Sequence, residues 1–155
     1  YLTGLASRKY IHESFVKAIS FARRTATPLT IIMADLDFFK QVNDNYGHLI
    51  GDKVLVAVAK LIRRSMRNED LAGRFGGEEF IMILVGTDQA GGKIFAERLR
   101  QKTEQMKVSG VPAKVTMSLG VTAFLPDDTA DDAIRRADEA MYMAKRAGRN
   151  QVVVL

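Results

Sequence analysis

The sequence contains no cysteine and no long apolar run, and each absence excludes a class of structure. Without cysteine, the 155-residue chain forms no disulfide and binds no metal through thiolates. No apolar run is long enough to span a bilayer, and no leader with a basic start and a small-residue cleavage site is visible. We therefore expect no membrane contact by this domain. The expected location is the cytoplasm, either free or as the cytoplasmic domain of a membrane-bound sensor.

The charge is mildly positive and evenly spread. The 23 lysine and arginine residues exceed the 18 acidic ones by five, and an excess of this sign favours polyanionic partners. The basic residues follow the predicted helices, and no basic surface rich in aromatic residues is visible that would stack single strands. We therefore expect a nucleotide ligand and no nucleic acid. With 47% hydrophobic residues, the chain suffices for a single domain over residues 1–155.

Hydrophobic periodicity predicts a mixed sheet covered by helices. The predicted strands are 29–34, 71–75, 80–85, 115–124 and 151–155, and the predicted helices are 7–25, 38–45, 51–66, 88–107 and one that ends at Arg146. This order combines an antiparallel β-hairpin with helical crossovers. The fold class is therefore α/β, in the α+β sense of a mixed central sheet flanked by helices.

The segment Gly76-Gly77-Glu78-Glu79-Phe80 lies between two apolar runs and has the composition of a hairpin turn. Two consecutive glycines predict a tight turn with positive φ at both central positions. Because Gly77 has no side chain, a phosphate can approach the turn. Glu78 and Glu79, at the start of the returning strand, can hold a hard cation. An ordinary hairpin with a solvated acidic edge is the alternative that the segment alone leaves open.

Asp35 follows the apolar run 29–34, where a buried strand is predicted to end. If the strand that carries Glu78 is its neighbour, two carboxylates converge on one point. Hard oxygen ligands without histidine or cysteine, with room left for phosphates and water, favour Mg²⁺. Asp37 directly precedes a predicted helix, so its expected role is the N-cap of that helix.

Further polar residues could recognise a nucleotide. The helix that begins at Phe38 directs its amide groups to the same end of the sheet, where anions are favoured. Lys40, in its first turn, is poorly placed for the helix dipole, which suggests that it binds a phosphate. Lys145 and Arg149, a helical turn apart, can add positive charge. Residues able to bind the polar edge of a purine are Asn43, His48 and Asp52. Caps, turns and favourable helix C-terminal charges are the alternatives for these residues.

A series of ordered motifs covers nearly the whole chain. The motifs are Asp35-Leu36-Asp37-Phe38-Phe39-Lys40, Asn43-Asp44, Gly47-His48, Gly51-Asp52, Arg74-Phe75-Gly76-Gly77-Glu78-Glu79-Phe80 and Ala144-Lys145-Arg146-Ala147-Gly148-Arg149-Asn150. In this order and at these spacings they resemble the GGDEF-type diguanylate cyclase domain. The resemblance implies a palm-like fold that condenses two GTP molecules into cyclic di-GMP and releases pyrophosphate.

The resemblance also implies roles for individual residues. Asp35, the Leu36 carbonyl group and Glu78 would bind Mg²⁺, with Mn²⁺ as the alternative, and Glu79 would support this catalytic site. Glu78 could also accept a proton, and the sequence does not separate these roles. The residues implied to contact the substrate are Asn43 and Asp52 at the guanine, His48, Phe38, Phe39 and Gly77 along the nucleotide, and Lys40, Lys145 and Arg149 at the phosphates.

The resemblance extends to regulation and assembly. Arg67 and Asp70 have the spacing of the family's product-binding inhibitory site, and Arg98 resembles its supporting arginine. A solvated turn with an exposed ion pair is the alternative. A homodimer of domains is implied for catalysis, and we expect an N-terminal sensor or dimerisation domain in a longer protein. The alternative function is a nonenzymatic regulatory module that binds GTP or cyclic di-GMP.

Overall fold

The computed structural model describes residues 2–155, so Tyr1 lies outside the description. In chain order the elements are α1 (Arg8–Thr25), β1 (Leu29–Leu36), α2 (Phe39–Tyr46), α3 (His48–Ser65), β2 (Leu71–Arg74), β3 (Glu79–Val85), α4 (Gln89–Gln105), β4 (Met117–Ala123), α5 (Ala130–Arg146) and β5 (Val152–Val154). None of the helices in this part of the chain is long and apolar enough to cross a membrane.

The strands form a five-stranded sheet in the order β2-β3-β1-β4-β5. β1 lies at the centre because its apolar, β-branched residues are buried on both faces. It pairs antiparallel with β3 and β4, whereas β4 and β5 run parallel. The predicted mixed sheet with helices packed on it is thus confirmed.

Alternating residues of β1 divide the core between the two faces of the sheet, as the pleat of a strand requires. Ile32, Ala34 and Leu36 belong to the core that contains residues of α3 and α4. Ile31 and Met33 belong to the core that contains residues of α1 and α5. Asp35 continues this second series, so the alternation places it on the face that α1 and α5 cover.

Several element boundaries differ from the sequence prediction; β1, for example, continues to Leu36, so Asp35 lies inside the strand and not after it. α3 begins at His48 and not at Gly51, because Gly47 alone separates it from α2 with φ 82° and ψ 159°. Only glycine adopts such a conformation without strain. β4 begins at Met117, two residues after the predicted start. α4 begins after Asp88, which is its N-cap because the Asp88 side chain accepts a hydrogen bond from the Gly91 N–H.

Candidate active site

The pairing of β1 with β3 brings the predicted carboxylates to one end of the sheet. Asp35 lies opposite Glu79 in the antiparallel register. Beyond this pair, the Leu36 N–H donates to the Glu78 carbonyl group over 3.3 Å. The condition set by the sequence analysis is therefore met: the strand after the glycine turn is the neighbour of β1, and the end of β1 and the hairpin form one acidic centre.

The glycine turn differs from the prediction. Neither Gly76 nor Gly77 has a positive φ. The Phe75 and Gly76 N–H groups both donate to the Glu79 carbonyl group, at 2.8 and 3.3 Å, which closes a loop of three residues instead of two. A Cβ on Gly76 would lie 2.2 Å from Oε2 of the flexible Glu79 side chain, which would have to move, whereas Gly77 faces open space. The turn therefore leaves room for a ligand at Gly77.

Asp35 is the most buried member of the acidic centre, at 4% exposure. Its Oδ1 accepts no well-directed hydrogen bond from the described residues, although Lys145 Nζ of α5 lies 2.7 Å away. Burial raises the pKa of Asp35, Lys145 opposes this effect, and the charges of Asp37 and Asp138 add to it. The centre thus holds a buried carboxylate that is incompletely neutralised.

Glu78 and Glu79, like Asp35, have a raised pKa. Burial raises the pKa of Glu78 and of Glu79, and the negative charge of Asp35 raises both further. Lys145 lowers both pKa values by a smaller contribution. One ammonium group therefore faces three carboxyl groups, an arrangement that favours a further cation.

The donor set fits Mg²⁺. Within residues 2–155, no three acidic or imidazole side chains are gathered into a complete metal cage. Mg²⁺ is usually held by one or two carboxylates and completes its octahedron with water and substrate phosphates, so a partial set is the expected one. Asp35 Oδ1 is buried, the Leu36 carbonyl group follows Asp35 in the chain, and Glu78 is joined to Leu36 by the backbone hydrogen bond between β1 and the hairpin. These three groups would hold the ion.

Asp37 is not an N-cap, contrary to the sequence prediction. Its carboxylate accepts hydrogen bonds from Thr116 Oγ1 at 2.8 Å, Ser118 Oγ at 2.7 Å and the Asn150 N–H at 3.0 Å. The N-cap of α2 is Phe38, at φ 56°, with no side-chain capping bond. Asp37 faces β4 because its own N–H donates to the Thr116 carbonyl group, which continues the strand pairing past β1.

The two phenylalanines after Asp37 have different surroundings. Phe38 is 54% exposed, and the Arg149 guanidinium group lies 4.6 Å from the centre of its ring. Phe39 is 7% exposed and packs in the core beneath α3, so only its backbone remains for a ligand. Lys40 is exposed in the first turn of α2. The stacked pair and Lys145 place positive charge near the acidic centre.

The residues expected to bind guanine lie on the packed pair α2 and α3. A Cβ on Gly51 would lie 1.9 Å from Asn43 Oδ1, so the absence of a side chain lets the Asn43 amide rest against α3. His48 and Asp52 are exposed and one helical turn apart, hence on one face of α3. The helix pair therefore brings Asn43 to the start of α3, where His48 and Asp52 are found.

Arg67, Asp70 and Arg98 line one surface pocket of ≈ 230 Å³ on the β2 side of the sheet. The Asp70 carboxylate accepts hydrogen bonds from the Arg67 N–H at 2.9 Å and the Val85 N–H at 3.0 Å. Across residues 2–155, the Arg67 guanidinium group forms no salt bridge, so the exposed ion pair of the alternative reading is not observed. The predicted trio is brought together, with a free guanidinium group.

Sequence reasoning gave no role to the residues that surround the site: Thr116, Ser118, Asn150 and Arg100, which form its hydrogen bonds, and Asp138, whose charge adds to the effect of burial on the pKa of Asp35. One signal was available. Thr116 and Ser118 are two positions apart in a predicted apolar strand, so their hydroxyl groups lie on the same face and need an acceptor there.

Comparison with known proteins identifies relatives along the whole chain. Residues 1–151 match the family described as Diguanylate cyclase, GGDEF domain. Diguanylate cyclase DgcP of Pseudomonas aeruginosa is 39% identical over 155 residues, which cover 99% of this chain and 23% of that protein. Diguanylate cyclase A of Treponema denticola is 44% identical over 129 residues, which cover 81% of this chain and 35% of that protein.

A solved structure is similar over nearly its full length. The GGDEF domain of DgcB from Caulobacter crescentus, in complex with c-di-GMP, superposes with a TM-score of 0.95 at 31% identity, covering 99% of this chain and 93% of that one. The curated relatives named above are longer, and the chain spans between 23% and 35% of their length.

Proposed function

Because the chain belongs to the GGDEF family of diguanylate cyclase domains, we propose that it condenses two GTP molecules into cyclic di-GMP and releases pyrophosphate. The observation that carries the proposal is the acidic centre: Asp35 opposite Glu79, with Glu78 beside them and Lys145 2.7 Å from Asp35. A nonenzymatic binding module would not need three neighbouring carboxyl groups that are only partly neutralised by one lysine. Release of pyrophosphate from GTP and Mg²⁺ by the wild-type chain, at protein concentrations at which it is dimeric, tests the proposal, and its absence there would favour the module.

Different residues serve different steps of the proposed reaction. The same step occurs twice: the 3′-hydroxyl oxygen of one GTP forms a bond to the α-phosphorus of the other, the bond from that phosphorus to the pyrophosphate oxygen breaks, and the hydroxyl proton passes to a base. Two phosphodiester bonds thereby close the ring, and two pyrophosphates leave. A bound Mg²⁺, or Mn²⁺, supplies polarisation of the α-phosphate and a lowered pKa of the 3′-hydroxyl group. Asp35, Glu78 and the Leu36 carbonyl group hold it, and Glu79 supports the site. The raised pKa of Glu78 also suits it to accept the proton.

The basic residues position the triphosphate. Lys145, Arg149 and Lys40 bind phosphate oxygens and spread the charge of the departing pyrophosphate. The open side of Gly77 admits the phosphates, and the exposed ring of Phe38 borders them. Asn43 and Asp52 hold guanine through paired polar groups, and His48 lines the nucleotide pocket. Phe39 contributes its backbone alone, because its side chain is in the core.

Base choice provides one prediction. The Asp52 carboxylate can accept from both N–H donors of the guanine edge, whereas adenine leaves it unsatisfied. We expect the wild-type chain to bind GTP at least about a hundredfold more tightly than ATP, and Asp52→Ala to remove most of this preference. Competition binding with Mg²⁺ measures both. Asp127→Ala, an exposed carboxylate near the opposite end of the sheet, is the control. Equal affinity of the wild type for the two nucleotides would refute the assignment.

Assembly provides a second prediction. One acidic centre holds one GTP, so a twofold-symmetric product requires two domains that face each other. The rate per protomer should rise with the concentration of this chain and level off when dimers predominate. Turnover over a dilution series, with mass measured by light scattering, checks this expectation. A rate per protomer that stays constant while the chain is monomeric would contradict it.

Product inhibition provides a third prediction. We propose that cyclic di-GMP binds at Arg67, Asp70 and Arg98 and holds domains in an unproductive arrangement. The free guanidinium group of Arg67 can bind a phosphate or a guanine edge bidentately. Arg67→Ala should raise the inhibitory concentration of cyclic di-GMP at least about tenfold and keep turnover.

The control for Arg67→Ala is Arg64→Ala, because Arg64 is an exposed arginine in the last turn of α3, three residues before Arg67, and does not line this pocket. In the parent, inhibition should be noncompetitive with GTP. Purely competitive inhibition, or an unchanged inhibitory concentration in Arg67→Ala, would show that the segment is only a turn.

A further inference from the structure

The backbone immediately after α5 has an unusual conformation. Gly148, Arg149 and Asn150 have consecutive φ values of 116°, 65° and 45°. Two of the three residues carry a Cβ, which approaches the following carbonyl oxygen in this region. Such strain persists only where surrounding contacts determine the conformation, and it is found preferentially at functional sites.

The contacts that hold this segment converge on Asn150. Its N–H donates to Asp37 Oδ2 at 3.0 Å, and its Oδ1 accepts from Arg100 Nη1 of α4 at 2.9 Å. The Arg149 N–H donates to the Ala144 carbonyl group of α5 at 3.0 Å. Asn150 is therefore fixed through its backbone and its side chain by two separate elements of the fold.

Asp37 is in turn held rigidly. It is 6% exposed, and its two oxygens also accept from the hydroxyl groups of Thr116 and Ser118. A buried carboxylate with three donors keeps one orientation, because any rotation leaves a donor or the charge unsatisfied. The carboxylate thus links β4 to the segment after α5.

The consequence of these contacts is the placement of Arg149. Its guanidinium group lies 4.6 Å from the ring centre of Phe38, which also has a left-handed φ of 56°. Two strained residues from distant parts of the chain therefore stack on each other at the end of β1. Stacking restricts the rotamers of the arginine and leaves its N–H donors free at the edge of the plane.

We propose that Asp37 is a positioning residue that acts through Asn150, supported by Arg100, to hold Arg149 stacked on Phe38 for contact with the triphosphate. The inference rests on the proposed function, which assigns Arg149 to the phosphates of GTP. Asp37 itself touches no nucleotide. Its loss lowers the fraction of molecules in which Arg149 is in place, and the apparent affinity for the triphosphate falls by the same factor.

The test compares two ligands in four proteins. A GTP analogue with a methylene group between the α- and β-phosphates probes the base and the phosphates without turnover, and guanosine probes the base alone. Calorimetry with Mg²⁺ measures both ligands in the wild type, Asp37→Asn, Arg149→Ala and the double variant. Asp37→Asn should weaken binding of the analogue about tenfold and leave guanosine unchanged. In the Arg149→Ala background the same substitution should change affinity less than twofold.

Other outcomes overturn the positioning role. A loss of guanosine affinity in Asp37→Asn equal to the loss for the analogue would indicate general disruption. An undiminished effect of Asp37→Asn in the Arg149→Ala background would show that Asp37 does not act through Arg149. Wild-type affinity of Arg149→Ala for the analogue would show that Arg149 does not contact the triphosphate, and the positioning role would then have no target.

Asn150→Gly provides a second route if Asp37→Asn does not fold. Glycine tolerates the left-handed backbone but offers no acceptor to Arg100, so binding of the analogue should weaken severalfold while guanosine binding is kept. Analogue affinity equal to that of the wild type would overturn the proposal. Failure of the proposed function can be distinguished from failure of the positioning role. A wild type that releases no pyrophosphate as a dimer, but in which the effects of Asp37→Asn and Arg149→Ala on analogue binding are coupled, would refute the cyclase activity and support the positioning role.

Discussion

Glu78→Gln is expected to reduce cyclic di-GMP production by a factor on the order of a hundred or more while the protein stays folded. The substitution keeps the shape of the side chain and removes its charge. Burial raises the pKa of Glu78, and the negative charges of Asp35 and Glu79 raise it further. Glutamine is a poorer ligand for a hard cation and accepts no proton, so either proposed role of Glu78 is lost.

Measurements that separate folding from chemistry are needed for Glu78→Gln. Turnover is followed by pyrophosphate release, and folding by the thermal unfolding transition without Mg²⁺. Glu139→Gln, an exposed glutamate on α5, makes the same chemical change outside the acidic centre and should keep turnover. Production of cyclic di-GMP by a folded Glu78→Gln protein at close to the wild-type rate would disprove the assignment.

The acidic centre could be predicted from sequence because its parts are local signals. The apolar run before Asp35 marks a central strand, and the apolar runs on both sides of the glycines mark a hairpin. One further step, that β1 and β3 are neighbours, brings Asp35 to Glu79, and the register confirms it. Pattern and spacing therefore sufficed for the fold and for the carboxylates.

The support of the centre could not be predicted, because it depends on residues that are distant in sequence. The donors to Asp37 are 79, 81 and 113 positions further along the chain, and only the folded sheet brings them within reach. Local reasoning sees an aspartate before a helix and predicts an N-cap. The side chain instead faces β4, where three donors satisfy the buried carboxylate.

The turn at Gly76 and Gly77 was mispredicted for a different reason. Paired glycines are typical of two-residue turns that need positive φ. Here neither glycine has a positive φ, and a side chain on Gly76 would displace the Glu79 carboxylate from its present position. Sequence shows that a side chain is absent, but it does not show whether backbone conformation or packing requires the absence.

Asp35→Asn is expected to reduce turnover, again by a factor on the order of a hundred or more. The same substitution should raise the melting temperature of the protein in the absence of Mg²⁺. The pKa of Asp35 is raised by burial, so the ionised carboxylate destabilises the folded protein at neutral pH. Asparagine removes this charge. Lys145 has a partly exposed side chain and can turn to solvent. The expected increase is about 2–4 °C, which corresponds to roughly 1 kcal/mol in a domain of this size.

The pH dependence follows from the sign of that shift. Because the folded protein holds the proton of Asp35 more tightly than the unfolded chain, the penalty is present at neutral pH and disappears as the pH falls through the raised pKa. The difference in melting temperature between Asp35→Asn and the wild type should therefore shrink on acidification. Melting curves from neutral to acidic pH measure it, and a difference that grows would contradict the electrostatic account.

Added Mg²⁺ connects this stability to the proposed metal site. In the wild type the ion binds the folded state and should raise the melting temperature in a concentration-dependent way. Asp35→Asn should lose this response, since one of two carboxylate ligands is gone. Asp138→Asn is the matched control, because Asp138 also raises the pKa of Asp35 but is not a proposed ligand. Removing its charge should stabilise the protein slightly and preserve the Mg²⁺ response. An Asp35→Asn protein that Mg²⁺ stabilises as strongly as the wild type would show that the ion binds elsewhere.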